Sequence, residues 1–380
     1  MIPRAAPVAG DGAAGMSPGD GVAPDGLASP DGAAPGPDWD GAADFLRRYQ
    51  SFLLCAHQKP DADTIGSTLG LASVLEGLGK RVTLVCADRL SASLATLPGA
   101  DRFLTAVPAV PAIPTVSVGG AFEAIVALDA STLERLGAVP PASPALFGAL
   151  PLLNIDHHLT NPRFGTVNLV DAQAAATAEL VTLLAQRMSV PLSVPAATCL
   201  LAGLMTDTLS FQTESTTPRT LRVGASLLEA GAPLPALAFR FFRQRTRHSA
   251  LVWSGALGTL RFGAGGRVAW VEVSRAVLEA AGPGADSGGL SGFAASIEGV
   301  EVGFSLEEAP DGTVFVGLRS ATVDVAAVAA RFGGGGHARA AGCQLVPPAT
   351  LAAAGAALLT VIEGALPSLP APDSPGPPPA

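Results

Sequence analysis

The sequence predicts an α/β fold with two domains, and three observations lead to that prediction. The chain has 380 residues, which is enough for two domains that each bury a core of their own. Hydrophobic residues make up 48% of the sequence, whereas charged residues make up only 14%. Apolar runs of strand length alternate with apolar patterns of helical period, which is typical of βαβ units with a parallel sheet.

The predicted elements of the N-terminal domain follow one another closely. An amphipathic helix at residues 39–50 precedes an apolar strand at 52–56. A helix at 67–78, which ends at Gly79, and a strand at 82–86 complete the first βαβ unit. The further elements predicted here are strands at 124–128 and 152–155 and helices at 174–187, 196–205 and 217–229.

A second, smaller α/β domain is predicted at residues 251–364, after a first domain at 39–231 and an interdomain connection at 232–250. The connection is aromatic and basic, and two interpretations stay open: a helix that packs its phenylalanines while its arginines stay solvated, or a nucleic-acid contact. Residues 1–38 and 365–380 have few large apolar side chains and are predicted to be disordered. The predicted elements of the second domain are strands at 268–273, 300–306 and 313–318 and helices at 323–332 and 351–362.

Composition also limits the partners and the compartment. The formal net charge of −9 lacks the basic excess of a protein that grips a long duplex, so any nucleic-acid substrate is expected to be short or to be gripped only locally. The four cysteines are far apart and form no CxxC pair, which argues against a disulfide framework and favours a reducing, cytoplasmic setting. No apolar run has the length of a membrane span, so we expect no membrane attachment.

Potential metal ligands follow the ends of several predicted strands and of one helix. Because ligands of open α/β sheets bind outside the carboxyl ends of the strands, we expect these side chains to form one site that accepts divalent ions. The residues concerned are His57, Asp61, Asp63, Asp129, Asp156, His157, His158 and Asp207. For the first three, a second interpretation stays open, in which the aspartates are turn and N-cap residues and the histidine is merely polar.

Four motifs in a fixed order resemble the DHH phosphoesterase superfamily. They are HxxxDxD at 57–63, LDAS at 128–131, NIDHH at 154–158 and GLMTD at 203–207. The segment GGGGHARAAG at 333–342 is similar to the signature of the associated C-terminal domain of that superfamily. The resemblance implies a parallel-sheet DHH domain, a smaller substrate-binding domain and an active site in the cleft between them.

The resemblance also implies two divalent metal ions. Its implied ligands are His57, Asp61 and Asp129 for one ion, and Asp63, His157, Asp207 and the shared Asp129 for the other. Four carboxylates neutralise two divalent ions, which together would activate a water molecule for in-line attack on phosphorus. Mn²⁺ is the ion that the family implies, while Mg²⁺ and Co²⁺ stay open.

The NIDHH motif contains three residues with different predicted roles. Side chains that follow one another on an extended backbone diverge, so His157 is predicted to ligate and His158 to remain for the substrate. The family implies that this second histidine contacts the substrate phosphate. Asp156 is predicted to orient an imidazole through a hydrogen bond, with a plain turn carboxylate as the alternative. With Asp129, these residues form the predicted catalytic set.

Because the predicted metal cluster has a net charge close to zero, binding of an anionic substrate requires positive charge or amide donors from other residues. The predicted second domain offers both, because a glycine run lets backbone amides approach a phosphate and His337 and Arg319 can grip it. A flexible turn is the alternative for the glycine run. The residues predicted to bind substrate are Arg319, Gly334, Gly335, Gly336 and His337, with Ser320 as a weaker candidate.

Within the superfamily, the chain most resembles the group of bifunctional oligoribonucleases, or nanoRNases, that also dephosphorylate 3′-phosphoadenosine 5′-phosphate. That group implies very short RNA and this adenosine bisphosphate as substrates, with homodimerisation possible. A linear or cyclic dinucleotide phosphodiesterase and a pyrophosphatase or exopolyphosphatase are the alternative enzymes. A nucleotide-sensing module without turnover is the alternative from another class.

Overall fold

The computed structural model describes residues 36–108, 122–347 and 350–368. The chain divides between Phe242 and Arg243 into two compact units. The predicted N-terminal extension, up to residue 35, and the predicted C-terminal tail, from residue 369, lie outside the described residues. Each unit has its own sheet and its own hydrophobic core.

The first unit has a parallel sheet covered by helices. Its strands are β1 (Ser51–Ala56), β2 (Arg81–Cys86), β3 (Ala124–Leu128), β4 (Leu152–Asp156) and β5 (Val167–Val170). Its α-helices are α1 (Trp39–Arg48), α2 (Ala62–Gly77), α3 (Val139–Ala142), α4 (Pro144–Ala149), α5 (Thr177–Arg187), α6 (Val194–Asp207), α7 (Pro218–Glu229) and α8 (Leu234–Ala238). Within the described residues the strand order is β2-β1-β3-β4-β5, and every neighbouring pair is parallel, which confirms the predicted sheet.

Several element boundaries differ from the prediction, and the one that bears on the site is the start of α2. Helix α2 begins at Ala62 rather than at residue 67, because Oδ1 of Asp61 accepts hydrogen bonds from the backbone N–H groups of Asp63 and Thr64, both at 3.0 Å. Strand β5 was not predicted, since its run is short and contains Asn168. The early start of α2 places Asp63 inside a helix rather than in a loop.

The sheet of the first unit is buried on both faces, as its continuous apolar strands predict. In β1, Phe52 and Leu54 belong to the core on one side, and Leu53 and Cys55 belong to the core on the other. Helix α6 packs so closely on α2 that a Cβ at Gly66 would lie 2.2 Å from the carbonyl oxygen of Cys199. This approach brings the end of α6 to the start of α2.

The second unit contains a mixed sheet. Its strands are β6 (Arg261–Gly263), β7 (Val268–Val273), β8 (Val302–Glu308), β9 (Val314–Ser320), β10 (Gly335–His337) and β11 (Ala340–Leu345). Its α-helices are α9 (Arg247–Leu257), α10 (Arg275–Ala281), α11 (Leu290–Ala295), α12 (Val325–Ala330) and α13 (Leu351–Ala365). In the described part of this unit the order is β10-β11-β9-β8-β7-β6, and only β7 and β8 pair in parallel.

The sequence predicted only the three central strands of this second sheet. Strand β10 lies within the glycine run, for which a flexible turn is the alternative interpretation, and it pairs with β11 as an antiparallel hairpin. Glycine carries little strand signal, so the pairing could not be read from composition.

Two further observations concern the cysteines and the helices. Cys55, Cys86, Cys199 and Cys343 are all buried and free, which confirms that they form no disulfide framework. Among the residues that the structure describes, no helix has both the length and the apolar character that crossing a bilayer requires.

Candidate metal centre

Three neighbouring strands end at the same edge of the parallel sheet. Strands β1, β3 and β4 lie side by side, and each is followed directly by a candidate ligand: His57, Asp129 and His157, respectively. The start of α2 adds Asp61 and Asp63 to this edge, and the last residue of α6 is Asp207. The structure thus brings together all six residues predicted as metal ligands.

His57 anchors the first cluster. Its Nε2 lies 3.3 Å from Oδ2 of Asp129 and 3.6 Å from Oδ2 of Asp61. Its Nδ1 lies 2.8 Å from the carbonyl oxygen of Gln58 and therefore donates a hydrogen bond to it. In the neutral ring this bond leaves the lone pair on Nε2, facing the carboxylates, which is the tautomer that a metal ligand requires.

Of the two interpretations of Asp61, the N-cap is observed, and metal ligation stays a prediction. Oδ1 of Asp61 caps α2, while Oδ2 faces His57. The N-cap bonds hold the carboxylate in place and leave the second oxygen for an ion.

His157 anchors the second cluster. Its Nε2 lies 3.3 Å from Oδ2 of Asp207, 3.5 Å from Oδ1 of Asp129 and 4.0 Å from Oδ2 of Asp63. The side chain of His157 is largely buried, as is that of Asp207. An ion placed among these atoms would meet one imidazole and three carboxylates.

Asp129 lies between the two clusters. Its Oδ2 faces His57 and its Oδ1 faces His157, so the two oxygens of one carboxylate point to different imidazoles. The hydroxyl of Thr177 donates to Oδ1 at 3.0 Å. The backbone N–H of Asp129 donates to the carbonyl of Ile155 at 2.9 Å, and its φ of 58° lies in the left-handed region, which aspartate tolerates better than most residues.

Asp63 has a structural role beside its predicted ligand role. It is fully buried, and its Oδ2 and Oδ1 accept the backbone N–H groups of Thr177 at 2.6 Å and Ala178 at 2.9 Å. Helix α5 has no side-chain cap of its own, since Ala176 stands at its N-cap. Asp63 therefore caps α5 from another helix, and each of its oxygens keeps a second lone pair.

Three carboxylates of the two clusters, those of Asp63, Asp129 and Asp207, lie close together and are largely shielded from solvent, which changes their pKa values. Burial, and next the charge of Asp129, raise the pKa of Asp207 to about 8. Burial raises the pKa of Asp63 as well, again with repulsion from Asp129. Burial alone would lower the pKa of His57, but the hydrogen bonds to Asp129 and Asp61 and the charges of these two carboxylates together outweigh burial and raise that pKa to about 10. Divalent cations would relieve the repulsion among these carboxylates.

The donor set fits divalent ions. In each of two groups, one ligand atom from every residue lies within 4.8 Å of the others; the groups are His57, Asp61 and Asp129, and Asp63, His157 and Asp207. Within the described residues, the four aspartates of these groups form ion pairs only with histidines. No lysine or arginine in the described part of the chain therefore neutralises their charge directly. Mixed imidazole and carboxylate donors suit Mn²⁺ and similar ions. The ligand roles of the individual residues stay predictions.

His158 lies closer to His157 than the sequence argument expected. The two rings are 4.7 Å apart, and Nδ1 of His158 is 3.9 Å from Oδ1 of Asp129. Strand β4 ends at Asp156, so the divergence of successive side chains on an extended strand does not apply to this pair. Oδ1 of Asp156 lies 2.7 Å from Nδ1 of His158, which is a hydrogen bond of the kind predicted for that carboxylate.

Two asparagines at this site were missed. Nδ2 of Asn161 lies 2.5 Å from Oδ2 of Asp156 and 2.7 Å from Oδ1 of Asn154. Nδ2 of Asn154 also donates to the carbonyl of Ala130 at 3.2 Å. The network holds Asp156, and through it His158, in place. Its one sequence signal was Asn154, a polar residue within an otherwise apolar strand.

The second unit brings two predicted substrate residues into one row. Ala340 of β11 pairs with Arg319 of β9 on one side and with His337 of β10 on the other. Side chains in one row of paired strands point to the same face, and neighbouring strands lie about 4.8 Å apart. Arg319 and His337 are both exposed and lie on either side of Ala340. The distance between their backbones is therefore roughly twice the spacing of neighbouring strands.

The remaining predicted substrate residues have different environments. The buried hydroxyl of Ser320 donates to the carbonyl of Glu301 at 2.6 Å and accepts from the N–H of Val323, so it is used within its own unit. A Cβ at Gly334 would lie 2.2 Å from the carbonyl oxygen of Gly342, and one at Gly336 would lie 2.6 Å from that of Ala340. A Cβ at Gly335 would meet nothing within 4 Å. Substrate contact by these residues stays a prediction.

Comparison with known proteins supports this architecture. A model described as DHH family, N-terminal domain, matches residues 51–204, and one described as DHHA1 domain matches residues 271–364. The chain is 35% identical over 321 residues to the bifunctional oligoribonuclease and PAP phosphatase NrnA of Thermus thermophilus, which covers 83% of this chain and 92% of that relative. It is 25% identical over 304 residues to the protein of the same name from Bacillus subtilis, with coverage of 78% and 90%.

A solved structure shows the same fold. An exopolyphosphatase-related protein from Bacteroides fragilis superposes with a TM-score of 0.75 at 22% identity, covering 86% of this chain and 96% of that protein. The identity is too low for this similarity to carry more than the fold.

Proposed function

Since this chain belongs to the DHH family of metal-dependent phosphoesterases, we propose that it hydrolyses very short RNA to 5′ mononucleotides and dephosphorylates 3′-phosphoadenosine 5′-phosphate. The observation that carries the proposal is the position of Asp129 between two clusters of imidazole and carboxylate groups. The relatives named for these two activities match along most of the chain, which supports the choice of substrates.

We propose that the two clusters hold two divalent ions, with Mn²⁺ as the working ion. His57 and Asp61 would hold one ion, the residues of the second cluster would hold the other, and Asp129 would contact both. A pair of such ions lowers the pKa of water and stabilises the charge that develops on the oxygens around phosphorus.

The side chains around the clusters orient and neutralise the substrate in this proposal. Asp156 accepts the hydrogen bond of His158, which holds a proton on Nδ1 and fixes the plane of the ring. The imidazole is then presented to a substrate phosphate in one orientation. Asn161 and Asn154 keep Asp156 in place, so rotation of His158 would cost several hydrogen bonds.

Arg319 and His337 are proposed to bind a phosphate of the substrate. Their shared row offers two groups that can donate to the same anion across Ala340. The hairpin between β10 and β11 keeps this row in register, because Gly334 and Gly336 allow close backbone approach.

Replacing Gly335 with alanine tests the glycine run. A Cβ at this position meets no neighbour, so we expect the melting temperature to stay within about 2 °C of the wild type. If backbone amides of the run contact phosphate, the methyl group blocks the approach, and the KM for 3′-phosphoadenosine 5′-phosphate rises roughly tenfold or more.

Gly334→Ala is the contrasting variant, because its Cβ would collide with the carbonyl of Gly342 and destabilise the hairpin. Steady-state kinetics and thermal melting separate the two effects. A Gly335→Ala enzyme with wild-type KM would show that the glycines serve only the hairpin.

One assay series tests the proposed function. Purified protein with Mn²⁺ is offered 3′-phosphoadenosine 5′-phosphate, RNA two-mers to ten-mers, short DNA and pyrophosphate, each at the same concentration. We expect the shortest RNAs and the adenosine bisphosphate to be hydrolysed fastest. Release of phosphate from pyrophosphate far faster than from any nucleotide would replace the proposal with a pyrophosphatase.

A further inference from the structure

The turn after Asp207 holds three consecutive residues in the left-handed region. Leu209, Ser210 and Phe211 have φ values of 47°, 61° and 65°. Every residue with a Cβ is strained there, and a bulky residue without a polar side chain has no local hydrogen bond to compensate. Strain of this kind persists only where the surrounding structure imposes it.

Hydrogen bonds around the turn impose this conformation. The N–H of Ser210 donates to the carbonyl of Met205 at 2.6 Å, and the N–H of Gln212 donates to the carbonyl of Thr208 at 2.7 Å. The N–H of Phe211 donates to the hydroxyl of Thr208 at 3.0 Å, and Thr208 is fully buried. These bonds involve backbone groups and one threonine, so the side chain of Leu209 takes no part in them.

The side chain of Leu209 is also exposed. Among the large apolar side chains described before Arg243, the two with the greatest fractional exposure are Leu159 at 87% and Leu209 at 57%. Leu159 follows His158 directly, and Leu209 stands two residues after Asp207. Each of these two exposed leucines therefore stands two residues after a residue of the metal clusters, His157 and Asp207 respectively.

We propose that Leu209 is a specificity-determining residue that packs against the base of the substrate nucleoside. This inference rests on the proposed function, because the metal clusters recognise phosphate and do not distinguish one phosphoester from another. A nucleobase has a flat, largely apolar face, and covering it with an aliphatic side chain removes apolar surface from water. Glycine would suit the backbone better at this position, so the leucine side chain is explained by a contact made in the complex.

The test measures binding and turnover in four proteins: wild type, Leu209→Ala, Leu209→Gly and Ser210→Gly. Calorimetry in the presence of Mn²⁺ measures Kd for AMP and for ribose 5-phosphate, which differ only in the base. Kinetics measure KM for the two-mer pApA, and thermal melting reports stability. Ser210→Gly relieves the same kind of strain in the same turn without removing an apolar side chain, so it is the matched control.

We expect both Leu209 variants to bind AMP about tenfold more weakly than the wild type, because they lose the binding free energy of a partly buried leucine side chain. The Kd for ribose 5-phosphate should not change. Leu209→Gly should melt no lower than Leu209→Ala, because it relieves the strain, and Ser210→Gly should bind AMP like the wild type. Equal AMP binding by wild type and both Leu209 variants would overturn the inference, and so would a loss for ribose 5-phosphate as large as that for AMP. Absence of pApA turnover by the wild type would instead count against the proposed function, and AMP binding would still decide the role of Leu209.

Discussion

Replacing Asp129 with asparagine is expected to abolish phosphoesterase activity and to leave the protein folded. Asparagine has the same shape and tolerates the φ of 58° at this position, so the backbone is not strained. It keeps one oxygen but loses the charge and the second oxygen, and the two oxygens of Asp129 face different imidazoles. Because paired ions contribute several kcal/mol to the transition state, we expect kcat/KM to fall by at least about 10³-fold.

The same substitution should remove the stabilisation that metal ions give. A ligand that binds only the folded state at 100 times its Kd stabilises that state by about 2.7 kcal/mol, so the melting temperature of the wild type should rise clearly when Mn²⁺ is added. Asp129→Asn should show little or no rise. Asp101→Asn, on the exposed surface of the same unit, is the control and should behave like the wild type. A variant at Asp129 with wild-type activity would contradict a bridging carboxylate.

Replacing Gly203 with alanine is expected to damage both the fold and the site. A Cβ at this position would lie 2.7 Å from Oδ1 of Asp63 and 3.0 Å from its Cα, at the contact between α6 and α2. Overpacking of this kind costs about 1–3 kcal/mol. Since the displaced atom belongs to a carboxylate of the second cluster, we also expect Mn²⁺ affinity to fall by roughly 10- to 100-fold, as it does when groups that support ligands are changed.

Gly77→Ala provides the matched control for this change. Gly77 lies in α2, and the nearest neighbour of its added Cβ would be a Val190 methyl at 4.0 Å, so alanine should be tolerated or slightly stabilising there. Chemical denaturation in the absence of metal and a Mn²⁺ titration separate the two expected losses. If Gly203→Ala matched Gly77→Ala in both measurements, α6 would not hold Asp63 in position.

Much of the first unit could be predicted because its strands are buried on both faces. Continuous apolar runs mark such strands clearly, and the strand predicted at 124–128 is observed as Ala124–Leu128. Parallel pairing then brings the residues after β1, β3 and β4 to one edge, so the meeting of the clusters follows from the order of the motifs.

The supporting residues could not be predicted, because their partners are distant in sequence. Asp63 caps α5 across more than a hundred residues of chain. The amide of Asn161, which holds Asp156, also donates to the carbonyl of Ala130, 31 residues away in the chain. The left-handed turn at Leu209 is likewise fixed by hydrogen bonds, and the pattern of residue types around Leu209 does not predict these bonds. In the second unit, the steric role of Gly334 and Gly336 became visible only once β10 was paired with β11.

The most direct test of the dimetal site is anomalous diffraction from crystals grown with Mn²⁺. Two peaks are expected, one in contact with His57, Asp61 and Oδ2 of Asp129, and one in contact with Asp63, His157, Asp207 and Oδ1 of Asp129. Crystals of Asp129→Asn grown in the same way should lose at least one of them. A single peak in the wild type, or peaks that Asp129 does not contact, would contradict the site described above.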